Sequence, residues 1–316
     1  MFPFIVSPIV SVVAQRVLTV LIVLGAVFAV PGTSTAEEHA TVEGKLLSVG
    51  SDTLGSLMSL WAEMLTRRHP DVLVQVRAIG SAAAPTALIQ GAADIGPMSR
   101  TMSSSELAAF AAQYGYAPTA VAVARDEVAV FVHRDNPLGS IGIAQIDAAF
   151  SSTRRCGAAT PVRQWKDLGL SGAWGERPIS SYGRSTASGT YSVFRRQFLC
   201  GGDFSPRLNR LVGSSAIVHA VAQDRGAIGY ASAGYLNANV RRLQLLDGQG
   251  EPVQLSRSLY LYLNRAPGVP LEPIVAAFMN IVLSPAGQRE VSKAGYTPLS
   301  ASARGASRSA LGIDRD

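Results

Sequence analysis

Four times along this 316-residue chain a short apolar run ends in Gly, Ser or Thr, and an amphipathic helical pattern begins. The junctions lie at Ser51–Thr53, Gly80–Ser81, Ser99–Ser103 and Arg184–Thr190. Repeated alternation of strand and helix patterns restricts the chain to an α/β architecture. It also restricts where a ligand would sit. In open α/β sheets ligands lie beyond the carboxyl ends of strands, where helix N-termini converge. The first amides of a helix lack internal partners and carry partial positive charge, so they favour anions. Each junction alone is equally a well-capped helix; four meeting in one cleft would surround an anion with hydroxyl and amide donors.

The fourth junction carries the most chemistry. Arg184 stands four residues before Ser188-Gly189-Thr190, and Tyr191, Phe194 and Phe198 then mark one apolar helical face. A Ser or Thr there is a good N-cap, and the glycine allows close backbone approach. The arginine adds a guanidinium suited to bidentate, charge-assisted contact with an oxyanion.

Elsewhere the patterns predict strands at Lys45–Val49, Val72–Ala78, Ala93–Gly96, Thr119–His133, Ile179–Tyr182, Gly226–Tyr230, Leu243–Leu246 and Ser258–Leu263. Helices are expected after Thr53, after Pro85, from Ser103, over Ile143–Phe150 and Ser215–Gln223, and twice near the C-terminus. Arg125-Asp126-Glu127 interrupts the long β stretch, which is placed to carry the chain from one lobe into a second. The expected organisation is residues 37–126 plus 232–316 in one lobe and 127–231 in the other. The last dozen residues, rich in Arg, Ser and Ala, are expected to fray.

Residues 1–36 have the order of a secretory signal: Arg16 as the positive charge, an apolar run Val17–Val30, then Pro31-Gly32 and small residues ending near Ala36. An uncleaved anchor is the alternative. The net charge is +6, nearly all from arginines that are scattered rather than striped with aromatics, which argues against nucleic acid. In an exported chain the two cysteines, Cys156 and Cys200, read as a disulfide rather than a metal site; two buried thiols are the alternative.

At these residues the chain resembles the periplasmic phosphate-binding proteins, the substrate-binding subunits of phosphate-uptake ABC transporters. Gly50-Ser51-Asp52-Thr53-Leu54 matches the family's first phosphate loop, Gly80-Ser81 its second, and Asp94-Ile95-Gly96 leading to Ser99 its third. Arg184-Ser185-Thr186-Ala187-Ser188-Gly189-Thr190 matches the fourth. The resemblance implies the type II two-lobed periplasmic-binding-protein fold, each lobe a mixed sheet flanked by helices, with the ligand cleft between them. It implies a monomer in the periplasm, with inorganic phosphate as ligand, a membrane permease of an ABC importer as partner, and no cofactor or metal. The implied ligand residues are Thr53, Leu54, Ser81, Ser99, Arg184, Ser188, Gly189 and Thr190. Two positions depart: the family pattern carries acidic residues where Ser99 and Thr186 stand. Asp52 is therefore either the replacement acceptor or a turn residue, and Arg100 either a second charge or a solvated side chain.

A binder of another oxyanion such as sulfate, or a phosphate sensor, remains open as an alternative. A phosphatase-like enzyme finds less support. Ser188 lacks the Gly-x-Ser-x-Gly setting of a nucleophile elbow, and His39, His69, His133 and His219 are dispersed without metal spacing.

Overall fold

The computed structural model describes residues 42–313, so the expected signal segment lies outside the described residues. In chain order the first elements are β1 (Gly44–Gly50), α1 (Gly55–Arg68), β2 (Val72–Ala78), α2 (Ala83–Ile89), β3 (Ile95–Met98), α3 (Ser104–Tyr114) and β4 (Thr119–His133). Next come β5 (Ser140–Gly142), α4 (Ile143–Phe150), a 3-10 turn at Trp165–Leu168, the single-turn α5 (Gly172–Gly175), β6 (Ser180–Arg184), α6 (Gly189–Phe198), β7 (Asn209–Leu211), α7 (Ser214–Gln223) and β8 (Ala227–Ser232). The chain closes with β9 (Val240–Arg242), β10 (Gln244–Leu246), β11 (Pro252–Val253), β12 (Ser256–Leu263), α8 (Pro273–Leu283), α9 (Pro285–Lys293) and α10 (Ala301–Leu311).

Sheet order is β2-β1-β3-β12-β4-β8-β6-β7, with β9 also paired to β4. The β1–β2, β1–β3, β6–β7 and β6–β8 pairs are parallel, whereas β12 and β4 run antiparallel to their neighbours. Parallel neighbours need crossovers, and α1, α2, α6 and α7 lie in them. Strand β4 joins two halves. Residues 119–127 pair with β12, while 128–132 pair with β8. The charges at Arg125–Glu127 do not end the strand: Arg125 is exposed and donates to Ser256 Oγ at 3.1 Å, Asp126 pairs with Arg257, and Glu127 pairs with Arg242.

Each half has its own core. In the first, Leu57, Met58, Trp61 and Leu65 of α1 pack against β1, β12 and α8; the buried Trp61 indole donates to the Gly287 carbonyl at 3.0 Å. In the second, Phe194, Phe204 and Tyr230 stack, with Phe194 and Tyr230 centroids 3.8 Å apart, and Phe150 meets Phe194 and Tyr230 edge-on. Leu243, Leu245 and Leu255 belong to this second core, so residues 243–255, expected in the first lobe with the rest of 232–316, pack with the second half before β12 returns to the first. The expected disulfide is present: Cys156 and Cys200, with Cα atoms 5.5 Å apart, tie the loop after α4 to the end of α6.

One expectation is corrected. The C-terminal residues do not fray up to Ile313: they form α10, capped by Ser300, which accepts the Ala303 amide, and closed by a left-handed Gly312. Leu311 and Ile313 are buried in the first core, which gives a polar-looking helix its anchor. The additional short strands β5, β7, β9 and β11 have two or three residues each, too few to leave a periodic signal.

Candidate functional site

The four junctions meet. Backbone bonds draw them together: Gly80 N donates to Gly50 O at 2.8 Å, Ser51 N to Pro97 O at 2.7 Å, and Ala82 N to Ala187 O at 3.0 Å. Ser81 and Ser99 hydroxyls lie 3.2 Å apart, and the Ser99 amide donates to Ser81 Oγ at 3.1 Å. Thr53 and Thr190 hydroxyls, from opposite halves, are also 3.2 Å apart. Thr53, Ser81, Ser99, Ser188 and Thr190 are all buried, at 0–1% exposure. Such burial is uncommon for hydroxyls, and here it places five of them around one locus.

Arg184 is positioned by the aromatic core. It ends β6, where its amide donates to the Tyr230 hydroxyl at 3.2 Å. Burial pushes the Tyr230 phenol well above its ordinary range, outweighing the Arg184 amide and charge, so it stays neutral as an acceptor. Tyr230 fits there because residue 183 is glycine; a Cβ would sit 2.5 Å from the ring. The Arg184 guanidinium, 1% exposed, donates to Ser214 Oγ at 2.9 Å and to the Asp52 carboxylate across the halves. Ser188 caps α6 by accepting the Thr190 amide at 3.1 Å. Gly189 is set directly against Ser81 and Ser99: a Cβ would lie 2.6 and 2.5 Å from their hydroxyl oxygens.

Thr53 is held from behind. Its carbonyl accepts the Tyr296 hydroxyl at 2.6 Å, and the Tyr235 hydroxyl donates to Asp52 O at 3.0 Å. Burial, then the neighbouring Tyr235 and Asp126, keep the Tyr296 phenol far above its usual range. Leu54, fully buried, immediately precedes α1.

Sequence reasoning missed a second guanidinium. Arg257, at the start of β12, donates to Thr190 Oγ1 at 2.8 Å and lies 3.4 Å from Thr53 Oγ1. Asp126 of β4 holds it through two bonds of 2.7 and 3.0 Å, and Ser232 donates to the other Asp126 oxygen at 2.7 Å. Arg257 and Asp126 are 8% and 3% exposed. The signal was three charges embedded in an otherwise apolar strand pattern without turn residues, which calls for a buried partner. Arg184 Nε and Arg257 Nη1 are buried donors with no hydrogen-bond partner among the described residues. Unpaired buried guanidinium N–H groups are costly, and an oxyanion between Arg184 and Arg257 would satisfy them.

Two sequence candidates stand elsewhere. Thr186 is exposed and joins none of these contacts. Arg100 is spent on Glu106, which takes both terminal nitrogens at 2.7 Å each. Burial raises the Glu106 carboxyl, but the Arg100 bond and charge and the Ser103 amide and hydroxyl together hold it below its ordinary value. Asp94 is also structural, accepting the Leu47 amide at 2.7 Å. Asp52 is more than a turn residue, because its carboxylate faces Arg184.

Comparison with known proteins places these elements in context. The description "PBP superfamily domain" matches residues 35–286. The "Phosphate-binding protein PstS" of Pseudomonas aeruginosa is 45% identical over 284 residues, covering 86% of this chain and 88% of its own. A Clostridium perfringens chain solved with bound phosphate shares 24% identity and a TM-score of 0.68 over 81% of this chain and 100% of that one. An ABC-type phosphate transport receptor from Vibrio cholerae shares 22% identity and a TM-score of 0.61, covering 80% and 100%. The two structures establish a common two-lobed α/β fold.

Proposed function

This chain belongs to the PBP superfamily and within it to the PstS-type phosphate-binding proteins, and from that premise we propose that it captures inorganic phosphate between two lobes and delivers it to an ABC importer. One observation carries the reading: five buried hydroxyls and two buried guanidiniums, from both halves, surround one locus and leave two N–H donors unpaired. Arg184, Thr53, Ser81, Ser99, Ser188 and Thr190 hold the anion, with Leu54 and Gly189 giving amides and Arg257 a second charge. Lobe one comprises residues 42–127 and 256–313; lobe two comprises 128–255, the chain crossing at β4 and before β12. Contacts across the halves, such as Ala82–Ala187 and Asp52–Arg184, belong to the closed clamp, which opens by hinge motion to exchange ligand.

Asp52 is the acceptor that distinguishes a protonated from a fully ionised oxyanion. A carboxylate accepts the proton of hydrogen phosphate but repels sulfate, which has none to give. Binding proceeds without turnover: Ser188 Oγ is engaged by the Thr190 amide, and among the described residues no histidine nitrogen bonds to it. The protein works outside the cytoplasm, in the periplasm, which its disulfide suits, and meets a membrane permease there. No helix of the described residues is long and apolar enough to cross a membrane.

Calorimetric titration of residues 37–316 with phosphate, arsenate and sulfate tests the reading. Phosphate is expected to bind one to one, and Arg184→Ala to weaken it by roughly 1.5–3 kcal/mol, the scale of a charge-assisted hydrogen bond. Unchanged phosphate affinity in that variant would remove Arg184 from the site and the proposal with it.

A further inference from the structure

The second half carries another cavity, of about 540 Å³, between the end of α4, the start of β6 and the loop before β7. It stands at the opposite end of β6 from the anion site: Ser180 lines it, whereas Arg184 is four residues on, about 13 Å at ~3.3 Å per residue. Arg154, Arg163 and Arg207 all border it, and no carboxylate and no aromatic ring does. None of these three guanidiniums forms an ion pair among the described residues. Three cations that border one cavity without a paired carboxylate give it a positive local potential, which favours an anionic ligand.

Arg154 is built into place. Its backbone is in the left-handed region at φ 46°, unusual for a non-glycine residue. Its amide donates to Ser151 Oγ at 2.9 Å and its Nη1 to Ser152 O at 3.1 Å, while the buried Nε has no hydrogen-bond partner among the described residues. Two residues on, Cys156 anchors this loop through the disulfide to Cys200. The other wall is fixed by Asn209 Nδ2, which donates to Ser181 O at 3.2 Å, and by Ser205 N, which donates to Phe150 O at 2.8 Å.

We propose that this cavity is a second ligand site, specific for a small non-aromatic polyanion such as a phosphorylated sugar. At about 540 Å³ it has room for a ligand larger than a lone oxyanion, whose five heavy atoms fill about two or three waters' worth of space at ~30 Å³ each. Three arginines call for at least two anionic groups, and the serine hydroxyls and Asn209 suit sugar hydroxyls. Without an aromatic face, a nucleobase finds nothing to stack on.

The test is calorimetric titration of the mature chain with fructose 1,6-bisphosphate, with the cleft first saturated with phosphate. AMP and glucose serve as aromatic and uncharged controls. Saturable one-to-one binding is expected for the bisphosphate, with AMP at least tenfold weaker and glucose inert. Arg163→Ala/Arg207→Ala removes two exposed arginines that have no ion-pair partner, so it should fold normally, keep phosphate binding in the cleft and lose at least tenfold in bisphosphate affinity. Arg184→Ala should leave bisphosphate binding intact, which separates this site from the cleft. The proposal is overturned by no saturable heat, by AMP binding as well as the bisphosphate, or by an equal loss in the charge-matched Arg77→Ala/Arg289→Ala control.

Discussion

Gly189→Ala is the sharpest perturbation of the clamp. A Cβ at this position falls 2.5 Å from Ser99 Oγ and 2.6 Å from Ser81 Oγ, both well inside normal contact. Neither hydroxyl has room to retreat, since both serines are fully buried and the Ser99 amide holds Ser81 Oγ at 3.1 Å. The clash exists only when the halves are together, because Gly189 opens α6 in one and the serines belong to the other. Overpacking of this kind costs about 1–3 kcal/mol. At 1.4 kcal/mol per factor of ten, phosphate affinity should fall roughly 5- to 150-fold. Folding itself should not suffer, because alanine is the better helix former by up to about 1 kcal/mol. Calorimetry gives the affinity and urea unfolding without ligand gives the stability. Affinity within twofold of the parent at unchanged stability would refute the close apposition of Gly189 with Ser81 and Ser99.

Other substitutions separate the roles of neighbouring groups. Arg257→Ala strands the buried Asp126 carboxylate and should cost roughly 3–5 kcal/mol in urea unfolding; Asp126→Asn/Arg257→Met should recover most stability but not phosphate affinity. Asp52→Asn should lower phosphate affinity and narrow its margin over sulfate, read by titrating both anions. Reducing the Cys156–Cys200 bond, which spans 44 residues, should cost about 4 kcal/mol of unfolding free energy on the loop-entropy scale, measured with and without reductant. The Glu106 carboxyl titrates below the ordinary glutamate range in the folded chain, so its stabilisation is full above that range and disappears as pH falls through the folded value. Glu106→Gln keeps a side chain that can reach back to the Ser103 amide but loses the charge paired with Arg100, so it should destabilise by up to about 1 kcal/mol at neutral pH, and the difference from the parent should shrink as pH falls through the folded value.

What could be read in the sequence was what is local. Strands β2 and β4 and helix α4 fall where periodicity put them, because Val72–Ala78, Thr119–His133 and Ile143–Phe150 each carry their pattern in one unbroken run. The four junctions were legible for the same reason: Gly, Ser and Thr at strand ends and helix caps are neighbours in sequence. That the junctions converge depends on sheet order, to which local spacing is blind. Arg257 and Asp126 stayed hidden because their partnership spans 131 residues, and each alone looks like an interruption of a strand. The family pattern places acidic residues where Ser99 and Thr186 stand, yet the carboxylate that reaches Arg184 is that of Asp52, 132 residues upstream of the arginine. Helix α10 was masked by its Ala, Ser and Arg composition, whereas its anchors Leu311 and Ile313 lie at its very end.

Locating the anion itself tests the site most directly. Crystals of the mature chain grown with arsenate would reveal arsenic by its anomalous scattering. A single strong peak is expected in the cleft, enclosed by Thr53, Ser81, Ser99 and Ser188–Thr190, with both Arg184 and Arg257 donating to its oxygens. A peak touching neither arginine, or none in the cleft at saturating arsenate, would contradict it.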